Sequence, residues 1–372
     1  MKEGIDILID KTNWKKYRFD EVCKQINVTS KKPEADGLHY VIGLEHIEPG
    51  NLHITKWETL EKETTFTRKF VKGQVLFGRR RAYQRKVAYA EFDGICSGDI
   101  LVFEAIEENL IPELLPFLIQ SDGFFEKALS TSAGSLSPRT KFKELADYEF
   151  LLPPKDEQKR LAELLWAADE MIEKEKKELE KLNYYFTALQ TSIFLSETTQ
   201  TKKLCDIAKV TMGQSPDGTS YNENKKGVPF LQGNSEFTDK YPIAVKYTTS
   251  PNKMANAGDI LMSVRAPVGA INIADKSYCI GRGLCAISAK SGNNDYLRFL
   301  LQSKIAELNR ISTGSTFKAI NSNDLKLLEV PAKEKDVSLL LECEIAITNL
   351  NHCIHNSKQL KQELINKIFL IS

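Results

Sequence analysis

Arginines set close together on a loop can bind phosphates and purine edges, and this chain holds such a loop. Residues 68–86 carry eight Lys or Arg, at 68, 69, 72, 79, 80, 81, 85 and 86, and no acid. Arg79, Arg80, Arg81, Arg85 and Lys86 follow directly on the β-like run Gln-Val-Leu-Phe-Gly, with Tyr83 among them, so a strand passes into a loop that presents guanidinium groups around one aromatic ring. Guanidinium forks suit phosphate oxygens and the O6/N7 edge of guanine, and a tyrosine can stack or lie along a sugar. The chemistry is that of DNA contact, with a solvated basic loop as the plainer alternative. Arg139 and Lys141, in a Gly-Ser turn further on, are candidates of the same kind.

Catalytic patterns are absent. There is no glycine-rich loop ending Gly-Lys-Ser/Thr, no His-Glu-x-x-His and no Gly-x-Gly-x-x-Gly. A methyltransferase acting on exocyclic amines needs Asn/Asp-Pro-Pro-aromatic; the chain offers Leu152-Pro153-Pro154-Lys155, which lacks both ends. Asp147 with Glu157 and Lys159 could be forced into a Mg²⁺-dependent nuclease set. Glu157 and Lys159, however, stand at the charged start of a long helix, where acids favour the positive end of the dipole. His352, Cys353 and His355 have no second cluster to complete a metal site and read as helix-surface and seam residues. The expectation is no catalytic residue and no metal.

The loop belongs to a repeated frame. VKGQVLFGRRRAY (71–83) answers to NAGDILMSVRAPV (256–268), with Gly73 and Gly258 aligned. CSGDILVFEA (96–105) answers to IGRGLCAISA (280–289), with Gly98 on Gly281. LSTSAGSLSPRTKFKELADYEFLLPP (129–154) answers to ISTGSTFKAINSNDLKLLEVPA (311–332). Each copy then runs into a charged, helix-favouring segment ending Ile-Phe, at Phe194 and Phe369. A single repeat at a period near 180 residues is a duplicated domain, not a solenoid. Where the first copy has its arginine loop the second has only Arg265; its other candidate cations are Lys225, Lys226, Arg282 and Lys318. Two frames that agree while their loops differ would read different things with one scaffold; simple divergence of a structural duplicate is the alternative.

Short β-rich runs bounded by glycine alternate with compact amphipathic pieces, so each copy reads as α+β. Residues 157–194 differ, with no Gly or Pro. Leu161, Leu165, Ala168, Ile172, Leu179, Leu182, Phe186, Leu189 and Ile193 fall at alternating steps of four and three once Glu175 is counted among them. This heptad seam predicts a helix of about 57 Å that must pack on another long helix. The partner is the second copy, where Leu340, Cys343, Ile347, Leu350, Ile354, Leu364 and Ile368 keep the spacing and Ser357 and Lys361 interrupt it. Spacing alone permits either relative orientation. The resulting division is a first globular domain at 1–153, a central long helix at 154–197, a second globular domain at 198–331 and a distal long helix at 332–372.

The whole chain, 372 residues and 42.1 kDa, is too long for one ordinary core. With 27% charged and 42% hydrophobic residues it is neither a disordered tail nor a membrane protein. The N-terminal stretch carries acids where a secretory leader needs a basic flank and an apolar run, so a cytoplasmic protein is expected. Seven scattered cysteines without a Cys-x-x-Cys pair then read as reduced, mostly buried thiols. Net charge is +1, which gives no support to non-specific binding of nucleic acid; the distribution matters more than the total.

Taken together, LLPPKDEQKRLAELLWAADEMIEKEKKELEKL, VKGQVLFGRRRAYQRKVAYA and GDILMSVRAPVGA make the chain resemble the specificity subunit of type I restriction-modification systems, over essentially its whole length. The distal copy departs at VPAKEKDVSLLLE, which lacks the second Pro and the Glu-Gln. The resemblance implies a non-catalytic reader of double-stranded DNA: two target-recognition domains held apart by an antiparallel helix pair, each reading half of a bipartite, asymmetric site. It also implies partner methyltransferase subunits, which bind S-adenosylmethionine, and motor-nuclease restriction subunits, with ATP and Mg²⁺ expected on partners and no cofactor on this chain.

Overall fold

A computed structural model describes residues 9–60, 64–194, 200–312 and 319–370. The chain divides into two compact units, one running to Lys177 and resuming at Asn351, the other Glu178–Leu350. The boundaries cut both long helices, so each unit contains a part of each.

In the first unit Ile100–Ala105 shows why the strands read as nearly continuous apolar runs. Leu101, Phe103 and Ala105 point into a core shared with helices, whereas Ile100 and Val102 point into a second core beneath another sheet. Successive side chains leave a strand on opposite faces, so a strand buried on both sides needs apolar residues at both parities. Val75 and Phe77 against Leu76 repeat the division. The four strands run in the order Cys23–Ile26, Ile100–Ala105, Val75–Gly78, Val87–Tyr89, antiparallel throughout. The second sheet, in the order Glu58–Thr59, Tyr40–Ile42, Gly94–Cys96, Arg68–Phe70, contains one parallel pair, Tyr40–Ile42 with Gly94–Cys96.

The second unit repeats this plan. Ala208–Met212, Leu284–Ala289, Ile260–Ser263 and Ile271–Ile273 form the antiparallel sheet, and a five-stranded sheet holds the matching parallel pair, Val228–Leu231 with Tyr278–Ile280. Ile260 and Met262 face one core and Leu261 the other. Gly73 and Gly258 both take positive φ, 92° and 87°, at the turn into the strand that carries the arginines. Such a turn is strained for any residue with a Cβ, which explains the aligned glycines. The second landmark is shifted by one residue from the sequence alignment. Ser97 donates its N–H to the Ile42 carbonyl at 3.0 Å, as Gly281 does to Leu231 at 2.7 Å, so Ser97, not Gly98, matches Gly281.

The first long helix spans Lys155–Phe194, 40 residues, or about 60 Å. It starts directly after Pro153-Pro154, and Gln158 fastens that start: its amide donates to the carbonyls of Asn109 (2.9 Å) and Pro153 (3.0 Å) and accepts from the Ile111 N–H (3.1 Å). Leu165 and Ile172 are buried, and Leu161, Leu179, Leu182, Phe186 and Leu189 are half-buried. The distal helix is continuous over Ser338–Phe369, with Ile354 and Leu364 buried and Ile347 and Leu350 half-buried.

Ser357 and Lys361, which break the apolar spacing, do not break the distal helix. In the first unit Ser357 donates to Glu175 at 3.2 Å, and Lys361 to Asp169, so the polar members of the two seams meet. Partners that rise in number on one helix and fall on the other make the pair antiparallel there. In the second unit Phe186, Leu189 and Ile193 pack into the core that holds Leu340 and Leu341, and Arg298 forks onto Glu344 at 2.6 and 2.8 Å. All seven cysteines are free thiols, five of them buried. No described helix is long and apolar enough to cross a membrane.

Candidate nucleic-acid interface

At the end of Val75–Gly78 the chain enters the arginine loop, and a second loop locks onto it. Arg79 donates its N–H to the Asp99 carbonyl (2.9 Å), Arg81 to Pro138 (2.8 Å), and Thr140 to Arg79 (3.1 Å). Ala133 and Arg139 exchange backbone bonds at 3.1 and 3.0 Å, closing the Gly-Ser turn into a tight loop. Leu136 stands near its tip, 90% exposed.

The side chains divide by what holds them. Arg139 lays its fork on Asp99, Nε to Oδ1 at 2.7 Å and Nη2 to Oδ2 at 3.2 Å. Arg80 reaches the same carboxylate at 3.4 Å and the Ser137 hydroxyl at 3.1 Å. Hydrogen bonding from Arg139 holds the Asp99 carboxyl below the usual range. Arg79 is half-buried, and burial, with Arg68 nearby, lowers its pKa. Arg81 and Arg85 sit at positive φ, 54° and 53°, on either side of the short turn Ala82–Gln84, which leaves Tyr83 57% exposed. Arg85 is turned inward, paired with Asp122 and stacked on Phe125 at 4.4 Å. Lys86 donates to the Leu44 carbonyl at 2.6 Å. These two cations are engaged in holding the loop, whereas Arg81 and Lys141 form no ion pair among the described residues.

In the second unit the matched strand exit keeps these backbone bonds and carries different side chains. Val264 donates to the Gly283 carbonyl at 2.9 Å, Ile320 donates to Val264 at 2.9 Å, and Arg265 bridges Ala319. Arg265 and Arg282 are exposed and, with Ser215, Gln232, Gly233, Asn234 and Gly283, line an open cavity of about 190 Å³. A Cβ on Gly283 would lie 2.7 Å from the Gln232 carbonyl oxygen, so the close approach of these two loops requires glycine. Lys225 and Lys226 are exposed at the turn between Tyr221–Asn222 and Val228–Leu231 and do not line this cavity. Lys318 lies outside the described residues.

Asp147 is exposed and paired with Lys127 at 2.7 Å, and His352, Cys353 and His355 are exposed along the distal helix. Among the described residues no group of three or more His, Cys, Asp or Glu could hold a metal ion. Sequence reasoning missed Asp99, Leu136, Gln232 and Asn234. None of them had a signal in the sequence, because the sequence alignment of the repeats sets Asp99 against Arg282 and only the structural register sets it against Gly283.

A charged cluster in the first unit ties the sheets to the helix pair. His53 binds Glu91 through Nδ1 (2.8 Å) and Asp169 through Nε2 (2.9 Å), and Asp169 binds Lys361. Asp169 and Lys361 are 3% and 5% exposed. Hydrogen bonding to Asp169 and then to Glu91, against the cost of burial, raises the His53 pKa to about 9. Burial opposes ionisation of Asp169; the bond from His53 and the charge of Lys361 outweigh it and keep the carboxyl below its ordinary range.

The fold is thus one α+β frame present twice, with arginines on the loop that follows the matched strand in each copy. The sequence matches the family described as type I restriction modification DNA specificity domain over residues 11–184 and again over 196–336. The chain belongs to that family and is the specificity subunit of a type I restriction-modification system. It is similar to the MjaX type I restriction enzyme specificity subunit of Methanocaldococcus jannaschii, 28% identical over 354 residues, spanning 86% of this chain and 83% of that one. A chain from a structure concerned with complex assembly and conformational transition of the type I R-M system has a TM-score of 0.64 at 25% identity, over 96% of this chain and 97% of that one. The type I S subunit from M. genitalium shares the fold, with a TM-score of 0.61 at 15% identity, over 100% and 99%.

Proposed function

We propose that this subunit reads a bipartite, asymmetric site on double-stranded DNA, one half with each unit, and catalyses nothing itself. The observation that supports this reading is the pair of matched loop clusters, which share their backbone bonds at the strand exit and differ in side chains. In the first unit Arg80, Arg81, Tyr83, Arg139 and Lys141 are the contacts proposed, and in the second Arg265 and Arg282, with Lys225 and Lys226 at a separate turn. Arg85 and Lys86 shape the loop. Methyltransferase subunits would supply S-adenosylmethionine, and restriction subunits ATP and Mg²⁺, around this scaffold in the cytoplasm. A chain with net charge +1 fits such an assembly, because partners can provide much of the phosphate contact.

Exchanging residues 199–331 for the matching part of another such subunit tests the reading. Methylation mapping should show a new second half-site and an unchanged first; both halves altered, or neither, refutes independent readers. Incubating the purified chain with DNA and S-adenosylmethionine, or with Mg²⁺, should give neither methylation nor cuts. Either product would establish an active site on this chain.

A further inference from the structure

The two units place different residues at one matched position. Arg79 bonds the carbonyl of Asp99 as Val264 bonds that of Gly283, each at 2.9 Å, and the bridges Arg80 to Arg139 and Arg265 to Ala319 match the next residues. Asp99 and Gly283 therefore occupy the same place. In the first unit a carboxylate there gathers Arg139 and Arg80, whose side chains it meets at 2.7–3.4 Å. In the second unit the place is glycine, and neither Arg265 nor Arg282 forms an ion pair among the described residues.

The consequence follows from guanidinium geometry. A free arginine swings to whatever anion is nearest, and on DNA that is a phosphate, which carries no sequence information. An arginine with two N–H groups fixed by acceptors keeps its plane, as Arg139 does on Asp99 and Arg80 does between Asp99 and the Ser137 hydroxyl, and its remaining donors point in one direction. The same carboxylate repels phosphates, which lowers affinity for DNA of any sequence. On the reading that this loop cluster faces DNA, we propose that Asp99 is a specificity-determining positioning residue: it holds Arg139 and Arg80 for the O6/N7 edge of guanine in the first half-site and lowers their binding to phosphate. The second unit, lacking the carboxylate, leaves its arginines free to follow the backbone.

The two effects have opposite signs, which separates this role from a structural one. The full chain, assembled with a methyltransferase subunit, is compared as wild type, Asp99→Asn, Asp99→Gly, the double variant Arg80→Ala/Arg139→Ala, and Asp156→Asn as a control for loss of one exposed charge. Base preference is read by selection from a random duplex pool, and non-specific affinity by salt titration on an unrelated duplex. Both Asp99 variants should lose about ten-fold discrimination at one or two adjacent G·C pairs of the first half-site. They should also bind unrelated DNA more tightly, with a salt slope steeper by about 0.9 for each arginine released to a phosphate. The second half-site and the Asp156 variant should keep their preferences. Unchanged base preference in the Asp99 variants overturns the proposal, and so does a joint fall in specific affinity, non-specific affinity and melting temperature. If the double arginine variant alters neither preference nor salt slope, the loop cluster does not face DNA, and the reading beneath the proposal fails with it.

Discussion

Neutralising His53 should loosen the first unit at alkaline pH, and the structure sets the size and direction of the effect. The folded pKa of about 9 compares with 6.5 for the free side chain. A raised pKa means that the folded state binds the proton more tightly, so the stabilisation is complete below about pH 6.5 and is lost as pH rises through 9. At 1.36 kcal/mol per unit the shift corresponds to about 3 kcal/mol at most. Asp169 contributes with the opposite sign, because its lowered pKa gives stability that disappears only as pH falls through the acidic range. His53→Gln should abolish most of the loss between pH 6.5 and 9. Asp169→Asn should cost more, about 3–5 kcal/mol at neutral pH, since it leaves Lys361 buried without a counter-charge. Denaturant unfolding followed by tryptophan fluorescence suits the measurement, because the Trp166 ring lies 6.3 Å from that of His53. A wild-type stability that is flat from pH 6.5 to 9, or an equal slope in His53→Gln, refutes the assignment of the proton to His53.

Gln158→Ala removes three hydrogen bonds at the start of the long helix and should destabilise the first unit by about 1–3 kcal/mol; amide exchange should then rise at Ile111, and unchanged protection there contradicts the fastening role. Matched insertions of one heptad near residues 175 and 350 add about 10 Å of helix with the seams in phase, equal to roughly three base pairs. Methylation mapping should then find half-sites that much farther apart, and the old spacing in an active complex would assign the ruler to partner subunits.

The strands and the duplication were legible because each rests on a local pattern. A strand such as Ile100–Ala105, covered on both faces, must be apolar at nearly every position, and Gly73 and Gly258 mark the same strained turn in both copies. The parallel pairing of Tyr40–Ile42 with Gly94–Cys96 was not legible, because nothing in either run specifies a partner some fifty residues away. Among the arginines, sequence supplies charge but not direction. Arg85 turns inward at φ 53° to meet Asp122 and Phe125, residues that no spacing rule connects to it.

The helix pair shows where a seam pattern misleads. Apolar heptads predict burial, so Ser357 and Lys361 register as breaks, and Asp169, one position off the seam, does not register at all. Once the antiparallel register is known these residues define it. Moving one helix along the other by a heptad would set Lys361 against Ala162 or Lys176 in place of Asp169. In the first case a buried ammonium loses its counter-ion, and in the second it meets a like charge, at a cost of several kcal/mol. A purely apolar seam would accept either slip with little penalty, since one leucine layer resembles the next. The buried ion pair, unremarkable as a source of net stability, therefore selects one alignment of the helices over its neighbours.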